Sequence, residues 1–482
     1  MPRHDQSRGA DGRPGGIQAI SRAQFAAITK AAERENVRFE SEPSDGAPTH
    51  VWHKGHIVAG AEVADYDIGE LTRHGAEVVR HLDGSEQEPS GRAKLLRLNE
   101  NETRSAWQVA AYFNNLRGLE GKFSVNNLVH VAHTDGVNFC PADEPFPVRP
   151  YPETIPYPPP QSGDGGAGVR VEVIDSGLSP GWGEDHPWLT DGPAEVSGDT
   201  EAGTYRPDGR IDAHAGHGTF ITGIVRCVAP AATVHVSNTM RWAGSMLESE
   251  VARAVIEVLD SKPAPDIINL SAGCVPMHTH DGKSTPVSLP MLDVMNRLTR
   301  PDCHTLLVTA AGNDGRGPDD VWFFPAEYAG YPEFRDVVVA VGALRQDREG
   351  RTCFTNHGGW VTVYEDGEKL VNAFPPGLFQ YQEPLGGTEC VYQSPPLYPG
   401  CTCVTPPQKG TVVRSRGMAE WSGTSFATPV VVGRIAERMS RRRQFAGRPR
   451  AAMQDLRRDL IEIEDSGDGV RLPIFPKRVP TG

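Results

Sequence analysis

The chain is poor in long apolar runs, in cysteine and in net positive charge. No apolar run approaches the roughly 18–20 residues that span a bilayer, so no membrane association through a spanning helix is expected. The first thirty residues contain no apolar core of the kind a secretory signal needs, which predicts a cytoplasmic protein. Eight cysteines in 482 residues are too sparse for a disulfide scaffold, and reduced thiols are expected. Three of them, Cys390, Cys401 and Cys403, lie close in sequence. A Cys-x-Cys pair with one distant partner and no nearby histidine is a poor zinc pattern, so no metal is predicted there. Lys and Arg number 48 against 62 Asp and Glu, a net charge of −14. A chain with that balance lacks the cationic surface that nucleic acid requires. The same balance argues against a polybasic membrane-surface role.

What is present is ordinary globular composition, with 38% apolar and 23% charged residues. Glycine (52) and proline (41) are abundant, which predicts many loops. The length suggests two to four domains, or one large domain with attachments. Residues 1–45 read as a flexible N-terminal tail with one short helix around Ser21–Arg34. Residues 46–140 give strand Val51–Ala61, helix Ile68–His74, strand Ala76–Leu82, strand Lys94–Leu98, a helix through Ala106–Leu116 and strand Phe123–Val131. That β-α-β-β-α-β order predicts a small α+β, ferredoxin-like unit. Residues 141–168 form a Pro/Gly-rich linker. From Val169 to about residue 470, short β-branched runs alternate with helical patterns, the signature of a mostly parallel α/β sheet. Helices are expected over Gly218–Arg226, Met246–Leu259, Pro290–Leu298 and Ser425–Arg438. Residues 366–415 break the pattern and are expected as a loop insertion. Residues 471–482 read as a tail.

Three short motifs carry chemistry. Val173-Ile174-Asp175-Ser176-Gly177 closes a strand. Gly216-His217-Gly218-Thr219 opens a helix, as does Ser422-Gly423-Thr424-Ser425-Phe426-Ala427-Thr428-Pro429. Each alone is an ordinary turn or helix cap. Together they place Asp, His and Ser at the ends of α/β elements, where such sheets carry their sites. A serine hydroxyl needs a base to take its proton as it attacks a carbonyl. A histidine near neutral pKa can take that proton and later return it. A carboxylate fixes the histidine tautomer and stabilises the imidazolium. A fourth segment, Ala310-Ala311-Gly312-Asn313-Asp314-Gly315, follows a strand and offers an amide donor for a developing oxyanion.

These motifs resemble those of the subtilisin-like serine peptidases, the subtilases or peptidase S8 family, in that family's own chain order. The resemblance covers roughly residues 169–470. It implies a subtilisin-like three-layer α/β fold. It also implies a serine endopeptidase that hydrolyses peptide bonds through an Asp175-His217-Ser425 triad and an acyl-enzyme intermediate. Asn313 matches the family's oxyanion asparagine. Ser271, Ala272 and Gly273 resemble the segment that pairs with substrate backbone by strand addition. Asp314 falls at the rim of the pocket for the substrate side chain preceding the scissile bond, where it would favour a basic residue. Phe323 falls near that pocket's base, where its bulk would disfavour large residues, so these two hints conflict.

Residues 46–140 resemble the propeptides that precede such domains, which implies an intramolecular inhibitor and a processing site in the linker. The chain departs from the family in three respects. Phe220 stands where a second histidine is usual, no Ala-Pro-Gly loop follows Trp360-Val361-Thr362-Val363, and no clear calcium loop is present, so no cofactor is expected. The expected partner is a protein or peptide substrate. Two rivals share the fold: an autoinhibited or non-catalytic peptide-binding module, and a narrow-specificity intracellular maturation protease.

Overall fold

A computed structural model describes residues 22–42, 44, 48–63, 68–69, 76–79, 92–131, 144–191, 193–276, 288–315, 323–381, 409–465 and 469–477. The N-terminal unit opens with helix α1 (Arg22–Glu33) and strands β1 (Phe39–Glu42) and β2 (His50–Ala59). Strands β3 (Ala76–Val78) and β4 (Lys94–Leu98), helix α2 (Ala106–Asn114) and strand β5 (Phe123–Val131) follow. The strands run antiparallel in the order β5-β2-β4-β3, with β1 added on β2. Helix α2 starts where Ser105 and Gln108 form a reciprocal capping box. It buries Val109, Ala110 and Phe113 against Trp52, Ile57, Phe123 and Val125. Most of the helix expected over Ile68–His74 lies outside the described residues.

The flexible tail expected over residues 1–45 is corrected for residues 22–42. Ile28, Ala32 and Val37 are buried in one core with Trp242, Met246 and Leu247 of the following domain. Glu35 accepts hydrogen bonds from Trp242 Nε1 (2.9 Å) and from Arg241 Nη2 (2.7 Å). An isolated helix of this length is marginal. Contact with residues two hundred positions later holds it, and no local pattern announces such a contact.

The larger domain contains β6 (Phe146–Pro147), β7 (Arg170–Asp175), β8 (Val196–Gly198), β9 (Arg210–Ile211), α3 (His217–Val228), β10 (Thr233–Asn238) and β11 (Ser245–Leu247). Next come α4 (Glu248–Asp260), β12 (Ile267–Leu270), β13 (Ala272–Gly273), α5 (Leu289–Leu298), β14 (Leu306–Ala310), β15 (Val338–Leu344) and β16 (Val363–Asp366). The chain continues through β17 (Leu370–Ala373), β18 (Gly377–Gln380), β19 (Val412–Ser415), β20 (Met418–Trp421), α6 (Thr424–Arg441), β21 (Ile461–Glu464) and β22 (Arg471–Ile474).

Nine strands form the central sheet in the order β21-β22-β16-β15-β14-β12-β7-β10-β8. Every neighbouring pair is parallel except β21 with β22. Side chains alternate across a strand, and both faces of this sheet are covered. Val171, Val173, Leu306, Val308, Val339 and Val341 face the core shared with α3 and α6. Ile174, Ile268, Leu270, Leu307 and Val338 face the core shared with α4 and α5. Two buried faces explain why these strands read as continuous apolar runs.

Three boundaries differ from expectation. Residues 366–415 are not one loop: β17 pairs with β20, and β18 pairs with β19 and β9. The three clustered cysteines there lie outside the described residues. Residues 471–474 are not tail but the strand β22, joined to β21 and β16. Met246 and Leu247, expected to open a helix, instead form strand with β5, and the helix begins at Glu248. The linker is also anchored, through β6 on β20 and a Tyr157–Val371 bridge.

Candidate active site

Asp175 is the last residue of β7 and is fully buried. His217 is the first residue of α3, and its Nδ1 lies 2.8 Å from Asp175 Oδ1 and 3.0 Å from Oδ2. A carboxylate only accepts hydrogen bonds, so Nδ1 carries the proton and Nε2 presents its lone pair outward. The two glycines beside His217 are steric requirements. Gly216 has φ +85°, and a Cβ there would sit 2.5 Å from Pro375 Cδ. A Cβ on Gly218 would sit 2.4 Å from Gly177 O, in the turn that follows Asp175. The helix therefore lies directly on the strand end that holds the carboxylate.

Ser425 is the second residue of α6 and is buried. Its Oγ donates to Ser271 O at 3.2 Å, while Ser271 Oγ donates to Ser425 O at 2.9 Å. The second bond has a cause in the sequence. Pro429 lies four residues after Ser425 and has no N–H, so the Ser425 carbonyl lacks its helical partner and is open to Ser271. Asn313 follows β14, and its Oδ1 accepts from Thr424 N (3.0 Å) and Thr424 Oγ1 (2.9 Å). The acceptor end of that amide is thus fixed on the residue before Ser425, which directs the Nδ2 end away from it.

Phe220, standing where the family usually has histidine, is part of an aromatic wall. The His217 ring meets Trp421 edge-on at 5.7 Å and Phe426 at 5.2 Å. Phe220 packs on Phe426 at 4.6 Å and on Trp421 at 5.7 Å. These rings pack against the imidazole on the side of Trp421 and Phe426.

One buried group was missed by sequence reasoning. Glu201 sits in a polar loop with no motif to mark it, yet its Oε2 accepts from Gly216 N (2.9 Å) and from Thr204 Oγ1 (2.8 Å). Burial pushes its carboxyl up to about 7 against the opposing pull of hydrogen bonds from Ser176, Gly216 and Thr204. Ser176 Oγ in turn accepts from Gly218 N at 3.3 Å. Glu201 and Ser176 therefore hold the backbone on both sides of His217.

Ala272 and Gly273 form an edge strand that is already occupied. β5 pairs antiparallel with β13 (Ala272 with Val131, Gly273 with His130) and with β11 on its other side. Val131 N also donates to Gly244 O at 2.9 Å. Two side chains fasten this strand. Asn126 Oδ1 accepts from Ser249 N at 3.0 Å, and its Nδ2 donates to Ser249 Oγ at 2.9 Å. The N-cap position of α4 is Leu247, which offers no oxygen, so the N-terminal unit supplies that helix's cap. Asn127 Nδ2 donates to the buried Glu248 at 2.7 Å. Asp314 is buried, and its N–H donates to Asn356 Oδ1 (2.7 Å).

Asp175 with His217, Ser425 with Ser271, and Asn313 with Thr424 thus gather at the carboxyl ends of β7, β12 and β14. Among the described residues no group of three or more His, Cys, Asp or Glu is placed to hold a metal ion. Among the same residues no helix is long and apolar enough to cross a membrane.

A model of the subtilase family matches residues 166–460. No curated protein sequence matches the chain. Among solved structures, the chain is similar to a cold adapted subtilisin-like serine proteinase at 20% identity and a TM-score of 0.42, covering 65% of this chain and 90% of that one. It is similar to fervidolysin from Fervidobacterium pennivorans, a keratinolytic enzyme related to subtilisin, at 16% identity and a TM-score of 0.49, covering 88% and 60% respectively. The prenylagaramide maturation protease PagA is similar at 20% identity and a TM-score of 0.40, covering 61% and 84%.

Proposed function

The chain belongs to the subtilase family of serine-type endopeptidases, and from that premise we propose that Ser425, His217 and Asp175 hydrolyse peptide bonds in extended protein or peptide substrates. The observation that carries this reading is the Asp175–His217 contact at 2.8 Å at the end of β7, with Ser425 Oγ bonded to Ser271, the residue that leads into the backbone-pairing strand β13. A substrate amide arriving opposite Ser271 competes for Ser271 O and so frees Ser425 Oγ. The oxygen attacks the scissile carbonyl carbon while His217 Nε2 takes its proton. The Asp175 carboxylate stabilises the resulting imidazolium. The oxyanion accepts from the Ser425 N–H, which is free at the start of a helix, and from Asn313 Nδ2. Collapse of the intermediate breaks the C–N bond, and His217 gives its proton to the leaving amine. Water then attacks the acyl-enzyme with His217 again as base, releasing the acid and restoring Ser425.

We propose further that residues 22–131 act on this site in cis as an inhibitor. β5 lying between β11 and β13, where substrate backbone would lie, supports this, as does the 4-1-3-2 strand order of a split βαβ unit in β2–β5.

The test is intact mass after reaction with a fluorophosphonate, with Ser425→Ala alongside. One adduct on the wild type and none on the variant is the expected result. An adduct confined to a species that has lost the N-terminal unit identifies a zymogen. No adduct on any species, including one freed of its N-terminal unit by limited proteolysis, refutes the nucleophile and leaves a peptide-binding module; no adduct on the uncleaved chain alone means a cleft held closed. Against peptide substrate, Ser425→Ala is expected to lower kcat by about 10⁴–10⁶.

A further inference from the structure

We propose that Phe323 closes the pocket for the substrate side chain on the amino side of the scissile bond (P1), so that the enzyme cleaves after small residues: glycine, alanine or serine. This deepens the proteolytic reading and rests on it.

The position of P1 follows from register. β5 shows how a backbone lies in the groove, with one residue opposite Gly273 and the next opposite Ala272. In the same antiparallel register, the following residue of a bound peptide falls opposite Ser271. Ser271 O is 3.2 Å from Ser425 Oγ, so that residue presents its carbonyl to the nucleophile. Side chains alternate along a strand, so P1 projects on the same face as the residue opposite Gly273. The occupant there is His130, and its ring meets Phe323 edge-on at 6.4 Å.

The pocket beneath that face is bounded by two residues without side chains. A Cβ on Gly273 would lie 2.3 Å from Phe323 Cε1, and a Cβ on Gly312, at φ +95°, would lie 2.8 Å from Phe323 Cγ. The two glycines open a slot between β13 and the segment after β14, and the Phe323 ring lies in it with no exposure to solvent. The ring is anchored from behind. Phe324 exchanges both backbone hydrogen bonds with Cys274 (2.9 and 3.0 Å), and Phe323 O accepts from Glu327 N (2.9 Å). These bonds fix the backbone that carries the ring, and its full burial leaves it packed on every side. A large P1 group, including the long basic one that Asp314 alone would suggest, must displace it, whereas a methyl or hydroxymethyl group need not.

The experiment uses the full chain, a fluorophosphonate to count reactive Ser425, and a peptide series at concentrations up to millimolar that differs only at P1 (Gly, Ala, Ser, Leu, Phe, Arg). For the wild type, kcat/KM is expected to be at least about tenfold higher for Ala than for Leu, Phe or Arg. Phe323→Gly is expected to raise the Leu and Phe values at least about tenfold, with Phe323→Leu, the smaller perturbation, moving the same way by less. A wild type that labels at Ser425 but cleaves after Leu or Phe as fast as after Ala overturns the pocket assignment and leaves the proteolytic reading intact. A wild type that neither labels nor cleaves, even after its N-terminal unit has been removed by limited proteolysis, overturns both. Where Phe323→Gly does not fold, shown by loss of labelling, the wild-type and Phe323→Leu profiles decide.

Discussion

Glu201 Oε2 accepts a hydrogen bond from the N–H of Gly216 at 2.9 Å, one residue before the histidine that faces Asp175. Burial lifts its carboxyl from an ordinary 4.5 to about 7. A group whose folded pKa is raised stabilises the fold fully below the unfolded value and loses that contribution as pH rises through the folded value. The wild type is therefore expected to lose several degrees of Tm between about pH 4.5 and 7 that Glu201→Gln does not lose. Thermal denaturation of both proteins across that range is the measurement. Parallel curves would remove Glu201 from this account.

Asn313 Oδ1 accepts from Thr424 N and Oγ1, and the proposed mechanism uses its Nδ2 on the oxyanion. Asn313→Ala should lower kcat by about 10²–10³ with little change in KM. Asn313→Asp keeps both acceptor contacts but replaces the donor with a negative charge, and its kcat should fall at least as far. A kcat for Asn313→Asp near wild type would mean that the side chain only organises the helix start.

Gly218→Ala places a methyl group 2.4 Å from the Gly177 carbonyl. Backbone lies on both sides, so the strain can be relieved only by moving α3 away from the turn after Asp175. A loss of about 2 kcal/mol or more is expected, together with a fall in kcat. Chemical denaturation and peptide hydrolysis on the same preparation report the two effects. Undiminished activity in a destabilised protein would separate the fold from the site.

Asn126 caps α4 across the boundary between the two parts of the chain. Removing a cap costs about 1 kcal/mol, roughly a fivefold shift in an opening equilibrium. Asn126→Ala should therefore raise the rate of fluorophosphonate labelling at Ser425 several-fold in the uncleaved chain. An unchanged rate, with the fold intact by circular dichroism, would mean that β5 does not control access to the site.

Legibility in the sequence followed the range of the interaction concerned. Strands such as Ile267–Leu270 and Leu306–Ala310 are buried on both faces and announce themselves as apolar runs. The Asp, His and Ser motifs are short and local, and so is the Pro429 that opens the Ser425 carbonyl. Glu201 was not legible because its partners are backbone N–H groups and hydroxyls, which leave no pattern in sequence. Within residues 22–42 the sequence shows the short helix but not its docking, because the stabilising contact, Trp242, is far away in the chain. Met246 and Leu247 fit a helical period equally well, and only pairing with β5 makes them strand. The strands within 366–415 and at 471–474 are four residues each, too short to show a period, and exist because a neighbour is waiting for them.

The strand that fills the groove is covalently part of the molecule whose groove it fills, and this alters the arithmetic of competition. A tethered segment meets its site at an effective concentration on the order of millimolar, whatever the dilution of the protein. A free peptide at micromolar concentration must therefore bind about a thousandfold more tightly than β5 to hold the groove half the time. Diluting the protein gives the peptide no advantage. Cutting the tether converts the same contact into an ordinary bimolecular one, and the proposed inhibition would then weaken with dilution. On the proposed cis inhibition, the onset of activity is set by the history of one peptide link and responds only weakly to the amount of substrate supplied.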